Sequence, residues 1–249
     1  MAGAGGREVR IALIADLHGN LPATEAVAAD IQSRGVDAVW CLGDLVGKGP
    51  SSAETFDWAM ANCQVILRGN WDEGIALRQF AANDQYYYDQ LGEDRMRRLA
   101  ELPLEHHAWL SGRHVRLLHG RPLMKTLQST YEPEEALGWL FAPDFDAVGY
   151  GDIHHAGLRP LHGDRILFSL GSVGNSIRIP LAQYTLLTCE EGREKAKFEL
   201  QFIYLPYDVD RAVRDAERSS GMPLRQAYIQ EITTGVYGRT PPASKGNVT

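Results

Sequence analysis

The chain has 249 residues, of which 44% are hydrophobic and 23% charged, and this composition excludes a disordered or fibrous protein. Its 32 acidic and 25 basic residues disfavour binding to long nucleic acids, because such affinity comes largely from Lys and Arg at phosphates. No apolar run approaches the ~20 residues that cross a bilayer, and the amino end lacks the apolar core of a signal peptide.

The first half of the chain alternates predicted strands and helices. Apolar runs at residues 9–15, 36–42 and 64–68 predict buried strands. Helical spacing predicts helices at residues 21–34, which Gly35 ends, and at residues 51–62, which Ser51 or Ser52 would cap. Residues 72–102 indicate two or three helices, the last at 93–101. This alternation implies a mainly parallel sheet covered by helices.

The second half predicts two hairpins and several shorter elements. Residues 105–110 and 114–118 flank a Ser-Gly-Arg turn, and residues 184–189 and 197–205 bracket a charged turn. A short helix is predicted at 132–141, strands at 145–150 and 165–170, and a helix at 208–219 that Gly221 ends. Residues 1–7 and about 238–249 have the composition of flexible tails. We therefore expect a single domain over residues 1–249.

Polar residues follow five of the apolar runs, each beside a glycine. They are Asp16, His18, Asp44, Asn70, His119, Asp152 and His154. Ligands collect at the carboxyl ends of strands in open α/β sheets, so these side chains could converge. Buried carboxylates and imidazoles are costly unless they are paired or bind a metal. Three Asp, three His and one Asn suit two divalent ions that share one carboxylate better than a single structural zinc.

The order and spacing of these residues resemble a known family. Asp16-x-His18, Gly43-Asp44, Gly69-Asn70-x-Asp72, His119-Gly120 and Gly151-x-x-His154 are similar to the five motifs of calcineurin-like metallophosphoesterases. Residues 11–27 and the Gly-Ser-Val-Gly loop at 171–174 resemble a bacterial branch related to diadenosine tetraphosphatases and small phosphodiesterases. The resemblance implies an α/β fold, a four-layer α/β/β/α sandwich of two mixed sheets with helices on both outer faces.

The resemblance also implies a binuclear metal site. One ion would be held by Asp16, His18, Asp44 and His154; the second by Asp44, Asn70, His119 and Asp152, with Asp44 bridging. Asp44, Asn70 and His119 would be catalytic, and a metal-bridging hydroxide would attack phosphorus. Asp72 would orient a ligand without binding metal itself. We expect two Mn²⁺ ions, with Fe, Zn, Ni or Co as alternatives.

Two residues depart from the family pattern. Trp71 stands where the family usually has a His that helps to protonate the leaving group, and losing a general acid typically costs about 10²–10⁴-fold. The absence of this His favours diesters or nucleotide anhydrides, whose leaving groups need less protonation, as substrates. Alternatively, another residue such as His155 could act as the acid. Trp71 itself could instead stack on a base. Asp152 stands where the family has a His, and a carboxylate there favours hard ions such as Mn²⁺.

Further residues are candidates for contacts with a substrate. Asn20, Trp71, His155 and Arg178 form this predicted set. Arg178 could clamp a phosphate bidentately, with a surface ion pair as the alternative. Asn20 could touch substrate or only hydrogen-bond its own loop.

We therefore predict a metal-dependent phosphodiesterase acting on small nucleotide-type phosphodiesters. The alternatives are a serine/threonine-type protein phosphatase or dinucleoside polyphosphate hydrolase, and a non-catalytic metal-binding scaffold. Three distant cysteines, an odd number, argue against a disulfide framework and suggest the cytoplasm. Because no apolar run is long enough to cross a bilayer, we also expect no membrane partner.

Overall fold

A computed structural model describes residues 7–80, 84–190 and 195–239 of the chain. Its strands are β1 (Glu8–Ile14), β2 (Ala38–Cys41), β3 (Val65–Ile66), β4 (Glu105–Leu110), β5 (Arg113–Leu118), β6 (Ala147–Tyr150), β7 (Ala156–Leu161), β8 (Arg165–Leu170), β9 (Ala182–Glu190) and β10 (Glu199–Leu205). Its helices are α1 (Leu21–Arg34), α2 (Ser52–Asn62), α3 (Asn70–Ala76), α4 (Gln85–Glu101), α5 (Glu134–Leu137), α6 (Val209–Arg218) and α7 (Arg225–Thr234). A 3₁₀ turn, Gly138–Phe141, follows α5.

The strands form two mixed sheets of five. The first sheet has the order β10-β9-β1-β2-β3, and the second has the order β4-β5-β6-β8-β7. Parallel pairing joins β1, β2 and β3 in the first sheet and β5, β6 and β8 in the second. The flanking strands pair antiparallel. Each sheet therefore has three neighbouring parallel strands, whose carboxyl ends meet along one edge.

Apolar side chains between the two sheets form the central core. They come from β1 and β9 on one side and from β5, β6 and β8 on the other; the fully buried members include Leu13, Leu117 and Phe168. A second cluster packs α1, α2 and α4 against the outer face of the first sheet. A third, built around α5 and the 3₁₀ turn, covers the second sheet. The predicted four-layer sandwich is confirmed.

Helix α1 follows directly from its sequence. The Asn20 side chain accepts a hydrogen bond from the Ala23 N–H and caps the first turn, and Pro22 needs no hydrogen-bond partner there. Gly35 ends the helix with a φ of 60°, a left-handed conformation that favours glycine. Helix α2 differs from the expectation, because the Ser51 side chain makes no capping bond and the Ser52 hydroxyl accepts from the Gly47 N–H instead.

The structure adds two elements that the sequence pattern did not predict. Strand β7 contains Pro160, which normally argues against a strand, but β7 is an edge strand and pairs only with β8. Helix α7 is rich in β-branched residues, which are weak helix formers, and its packing against α6 stabilises it. Helix α4 is broken at Gly92, so the separate helix expected at residues 93–101 is its second half.

Most of the predicted tail segments lie outside the described residues. Gly238 and Arg239, at the start of the second of them, both donate hydrogen bonds to the buried Glu231 of α7. Among the described residues, no helix combines the length and apolarity that crossing a bilayer requires.

Leu13 tests the central core. Leu13→Ala removes a fully buried side chain from between the sheets and should lower the free energy of unfolding by about 2–5 kcal/mol. Leu158→Ala makes the same chemical change on β7, where the side chain is 46% exposed, and should cost less than about 1 kcal/mol. Urea denaturation followed by circular dichroism measures both. Equal losses would contradict the packing described.

Candidate metal centre

The polar residues predicted at strand ends lie along the edge where the parallel strands finish. Asp16 and His18 follow β1, Asp44 follows β2, and Asn70 begins α3 just after β3. His119 follows β5, and Asp152 and His154 follow β6. The two sheets thus bring their strand ends to one place, as the rule for open α/β sheets predicts.

Four of these residues form a compact, buried cluster. Asp16, His18, Asp44 and His154 each offer a ligand atom, and these atoms all lie within 4.8 Å of one another. The His154 Nε2 atom lies 3.2 Å from Asp16 Oδ1 and 3.2 Å from His18 Nε2. His119 adjoins the cluster, with its Nε2 atom 3.2 Å from Asp44 Oδ2.

Each of the three histidines is oriented by a backbone carbonyl. The Nδ1 atom of His18 lies 3.3 Å from the Val46 oxygen, that of His119 lies 2.8 Å from the Leu42 oxygen, and that of His154 lies 2.5 Å from the Asn175 oxygen. A carbonyl only accepts, so Nδ1 carries the proton and Nε2 faces the cluster. Metal-binding histidines are typically held in this way.

The cluster needs a cation. Both oxygens of Asp16, the Nε2 atom of His119 and the Oδ1 atom of Asn70 are buried without a hydrogen-bond partner. Burial, with the charges of Lys48 and His154, lowers the pKa of His18 well below its usual value, so its Nε2 presents a bare lone pair. Imidazole lone pairs and carboxylate oxygens that face one another at 3.2 Å, as His154 Nε2 and Asp16 Oδ1 do, repel unless a cation lies between them. The donor set therefore fits a divalent metal ion.

His119 shows how charge on a neighbouring ring can balance the buried carboxylates of the cluster. Burial alone would lower its pKa, but the charge of Asp44, whose Oδ2 atom lies 3.2 Å from Nε2, and the charge of Asp16 outweigh burial and raise it to about 10. A proton on this ring then partly neutralises the two carboxylates. A divalent cation would displace that proton, since a ligating histidine is neutral.

The backbone is strained at most of the candidate ligands. Five of the predicted ligands adopt left-handed φ values between 48° and 66°, a region that residues other than glycine rarely occupy; they are Asp16, His18, Asp44, Asp152 and His154. Lys48 and Arg178, which line the neighbouring cavity, share this conformation. Such strain concentrates at functional sites, where the surrounding fold imposes it.

Asp72 holds the Asp44 loop in place. Its carboxylate accepts from the backbone N–H groups of Asp44, Leu45 and Gly69, at 2.8, 2.9 and 3.0 Å. Gly69 lies so close to Asp44 that an added Cβ atom would come within 2.1 Å of Asp44 Oδ1. Asp72 therefore lies behind the cluster and holds the backbone around Asp44, as expected of a residue that orients a candidate ligand.

Asp152 lies at the site, but its carboxylate is engaged by Arg121. Its Oδ1 accepts from Arg121 Nη2 at 2.6 Å, and its Oδ2 accepts from the Arg121 side-chain Nε and backbone N–H, each at 2.9 Å. Burial alone would raise the pKa of Asp152, yet the hydrogen bonds from Arg121 and the charges of His119 and Arg121 lower it. Metal binding by Asp152 stays a prediction, and it requires competition with this ion pair.

A cavity of about 770 Å³ opens beside the cluster. Three of the predicted substrate contacts line it: Trp71, His155 and Arg178. Burial lowers the pKa of His155. Arg178 is exposed and has no ion-pair partner among the described residues, which leaves its guanidinium open to the cavity.

For Asn20 the structure favours the second of the two predicted alternatives, hydrogen bonding within its own loop. Its side chain caps α1, and its Nδ2 atom donates to the Gly174 oxygen at 2.8 Å and to the Tyr207 hydroxyl at 3.3 Å. It is fully buried and does not line the cavity, because the loop at 171–174 packs over it.

Lys48 lines the cavity and was not singled out from the sequence. It is 5% exposed, and its ammonium lies 3.4 Å from His154 Nε2. Burial and the charge of Arg239 lower its pKa to about 8, against the pull of Glu231 and Asp44. Its position between two glycines in Gly47-Lys48-Gly49 was the available signal, since such a loop lets the backbone approach a ligand closely.

Comparisons with known proteins agree with this geometry. A family model described as calcineurin-like phosphoesterase matches residues 9–156, which include all seven predicted ligands. An uncharacterized protein of Methanocaldococcus jannaschii is 30% identical over 162 residues, or 59% of this chain. The chain spans 60% of the length of that curated relative.

Two solved structures share the fold over nearly the whole chain. A metallophosphoesterase from Sphaerobacter thermophilus aligns with a TM-score of 0.72 at 23% identity, covering 92% of this chain and 99% of that one. A hypothetical protein from Pyrococcus horikoshii also has a TM-score of 0.72, at 18% identity, covering 91% of this chain and 98% of that one.

Asp72 gives a test of how the cluster is oriented. Asp72→Asn replaces one accepting oxygen by an amino group that faces backbone N–H donors, so the Asp44 loop should loosen and Mn²⁺ affinity should fall about 10–100-fold. Isothermal titration calorimetry measures the affinity. Asp94→Asn changes an exposed carboxylate and is the control. Unchanged Mn²⁺ affinity in a folded Asp72→Asn protein would contradict the role of Asp72 in holding the Asp44 loop.

Proposed function

The chain belongs to the calcineurin-like phosphoesterase family, and on this premise we propose that it is a phosphodiesterase that hydrolyses small nucleotide-type phosphodiesters. The family implies a phosphoric ester hydrolase, and the buried Asp/His cluster could hold a divalent metal. The observation that carries the proposal is the convergence of histidine Nε2 atoms and unpartnered carboxylate oxygens on one point beside an open cavity.

We propose that two ions bind, with Mn²⁺ as the working metal. Asp16, His18, Asp44 and His154 would hold the first, and Asp44, Asn70, His119 and Asp152 the second. Asp44 suits a bridging position, because its Oδ2 atom lies 3.4 Å from His18 Nε2 and 3.2 Å from His119 Nε2. Bound divalent ions lower the pKa of a coordinated water and neutralise charge on phosphoryl oxygens.

The chain itself fixes the bridging carboxylate. The Trp71 backbone N–H donates to Asp44 Oδ1 at 2.9 Å, which leaves Oδ2 turned toward the histidines. The loop after β8 holds the first strand end in a similar way: the Ser172 hydroxyl and the Gly174 N–H both donate to the Asp16 carbonyl. Such preorganisation keeps the electrostatic environment in place before a substrate arrives.

The cavity supports a substrate with both anionic and aromatic parts. Arg121, Arg178 and Lys48 bring positive charge, and Trp71, Phe80 and Tyr237 bring aromatic surface. The indole at position 71 cannot protonate a leaving group at neutral pH. Diesters with leaving groups that need little protonation are therefore favoured over serine or threonine phosphates.

Asp44 tests the proposal directly. Asp44→Asn removes the charge that would bridge the ions, and hydrolysis of bis-p-nitrophenyl phosphate with Mn²⁺ should fall about 100-fold or more. Asp94→Asn changes an exposed carboxylate, should leave the rate of hydrolysis unchanged, and serves as the control. The wild-type protein should hydrolyse this diester and cyclic nucleotides faster than a phosphopeptide or diadenosine tetraphosphate. Faster turnover of a phosphopeptide or tetraphosphate would support an alternative substrate, and no turnover of any of them would support a scaffold.

The number of ions has its own test. Because Arg121 competes for Asp152, the chelator-treated protein should take up two Mn²⁺ in steps of unequal affinity. Arg121→Gln should raise the Mn²⁺ affinity of the weaker binding step. Arg97→Gln, which breaks an exposed ion pair, should change the affinity of neither step. Calorimetry and elemental analysis give the stoichiometry. One ion per chain at saturating Mn²⁺ would exclude the binuclear proposal.

A further inference from the structure

One wall of the cavity comes from the chain after α7. Residues 235–239, the carboxyl-terminal segment, follow α7 directly and lie beyond residue 156, where the family match ends. This segment places Tyr237 at the cavity that opens beside the metal cluster. The residue is 51% exposed, so its phenol ring is accessible from that cavity. The cavity therefore includes an aromatic side chain from outside the part of the chain that the family model matches.

Hydrogen bonds hold the backbone on both sides of Tyr237. Before it, the Gly235 oxygen accepts from the Arg178 N–H at 2.7 Å. After it, the Gly238 N–H donates to Glu231 Oε1 at 3.1 Å. An added Cβ atom at Gly235 would come within 2.8 Å of the Arg178 carbonyl carbon, so the two backbones are in close contact. The backbone at Tyr237 is therefore fixed relative to both Arg178 and α7.

A buried ion pair anchors the end of the carboxyl-terminal segment. Arg239 Nε donates to Glu231 Oε2 at 3.2 Å, and these two side chains are 7% and 0% exposed. Glu231 also accepts from Asn175 Nδ2 at 3.0 Å. The Arg239 Cζ atom lies 5.4 Å from the ring centroid of Trp71, which is next to the metal cluster. Because breaking a buried pair leaves an uncompensated charge, this contact resists displacement of the segment.

The Tyr237 side chain takes no part in the packing of the core. Within the residues that the structure describes, its hydroxyl makes no hydrogen bond, and its ring stacks on no other aromatic ring and under no cationic side chain. It belongs to none of the four apolar clusters. It interacts electrostatically with Arg121, which pairs with Asp152 at the same cavity. The ring is therefore available to a ligand that enters the cavity.

Trp71, the aromatic residue that the sequence suggested for stacking, already has several ring contacts. Its centroid lies 5.0 Å from that of Phe80 and 5.8 Å from that of His18. The Arg239 guanidinium lies over the same indole. A base that stacked on Trp71 would compete with these neighbours, whereas the ring of Tyr237 has no such competitor within the described chain.

We propose that Tyr237 stacks on the aromatic base of the substrate, with Glu231 and Arg239 as positioning residues. The inference rests on the proposed function, since it assumes that a nucleotide-type phosphoester enters the cavity with its phosphorus at the metal cluster. Every base has an aromatic face, so stacking selects nucleotides over other phosphoesters without selecting among the bases. Recognition of the base then belongs to the carboxyl-terminal segment, while the strand ends provide the candidate metal ligands.

Two titrations measure the contribution of the base. Calorimetry gives the association constants of thymidine 5′-monophosphate and of 2-deoxyribose 5-phosphate for the Mn²⁺-loaded full chain. The two probes share the sugar and the phosphate, so the ratio of their association constants reports on the base alone. The wild-type protein should bind the nucleotide more tightly. Tyr237→Ala should lower the ratio about 5–100-fold, the range for removal of a side chain that stacks on a base.

Two matched variants serve as controls. Tyr237→Phe keeps the ring and removes only the hydroxyl, so it should retain the ratio. A loss equal to that of Tyr237→Ala would contradict stacking. Tyr204→Ala removes a tyrosine of β10 that is 47% exposed and does not line the cavity, and it should leave the ratio unchanged. If Tyr237→Ala does not fold, Tyr237→Ser takes its place with the same expected loss.

A double-mutant cycle tests the positioning residues. Arg239→Met breaks the ion pair with Glu231 and should lower the ratio, because the segment that carries Tyr237 loses its anchor. Combining it with Tyr237→Ala should cause no further loss, because both changes remove the same interaction. Arg239→Lys can keep the ion pair and should recover part of the ratio. Fully additive losses would show that Arg239 does not act through Tyr237. If Arg239→Met does not fold, Glu231→Gln weakens the same pair and takes its place.

The outcomes separate this inference from the proposed function. A ratio within about twofold of wild type in folded, Mn²⁺-loaded Tyr237→Ala would overturn the inference, whatever the enzyme hydrolyses. A wild-type chain that binds the nucleotide no better than the sugar phosphate, or binds neither, would also overturn it. If the wild-type protein hydrolyses no diester, the proposed function fails, and the two titrations still decide the role of Tyr237.

Discussion

The arrangement of this molecule depends on an electrostatic constraint at its centre. Three imidazole Nε2 atoms and two carboxylates lie together in a buried cluster, in which both oxygens of Asp16 and the Nε2 atom of His119 have no hydrogen-bond partner. Such an arrangement is unfavourable by itself, and the fold imposes it with a backbone carbonyl behind each histidine and with five left-handed residues at three strand ends. The two sheets supply the rigidity that this requires. A bound cation would convert the repulsion into attraction.

Much of the fold and the cluster could be predicted from the sequence, for a physical reason. Short apolar runs that end in glycine and a polar residue locate the parallel strands, and parallel strands bring their carboxyl ends together. Asp16, Asp44 and His119 could therefore be assigned to one site although they are far apart in the chain. Strand β7 and helix α7 could not be predicted from the sequence. Pro160 disfavours a strand and a run of β-branched residues disfavours a helix, and tertiary packing outweighs both preferences.

The contacts around the cluster were harder to predict, because they depend on packing between distant segments. The pairing of Arg121 with Asp152 and the contact of Lys48 with Asn175 follow from the directions of single side chains, which no spacing rule specifies. For Asn20 the sequence left two alternatives open, a contact with substrate and a hydrogen-bonding role in its own loop. The local geometry makes it the cap of α1, in line with the second alternative. Sequence order indicated the candidate ligands, and only the three-dimensional structure shows their neighbours.

Trp71 has a consequence for how the site can be observed. Its indole lies between two cationic side chains, with its centroid 5.8 Å from Lys48 Nζ and 5.4 Å from Arg239 Cζ, and it meets the His18 ring edge-on at 5.8 Å. None of the other four tryptophans lines the cavity. Indole emission responds to charge and protonation in its immediate surroundings. The chain therefore carries an intrinsic fluorophore beside its candidate metal centre, which would report on ions and ligands without any added label.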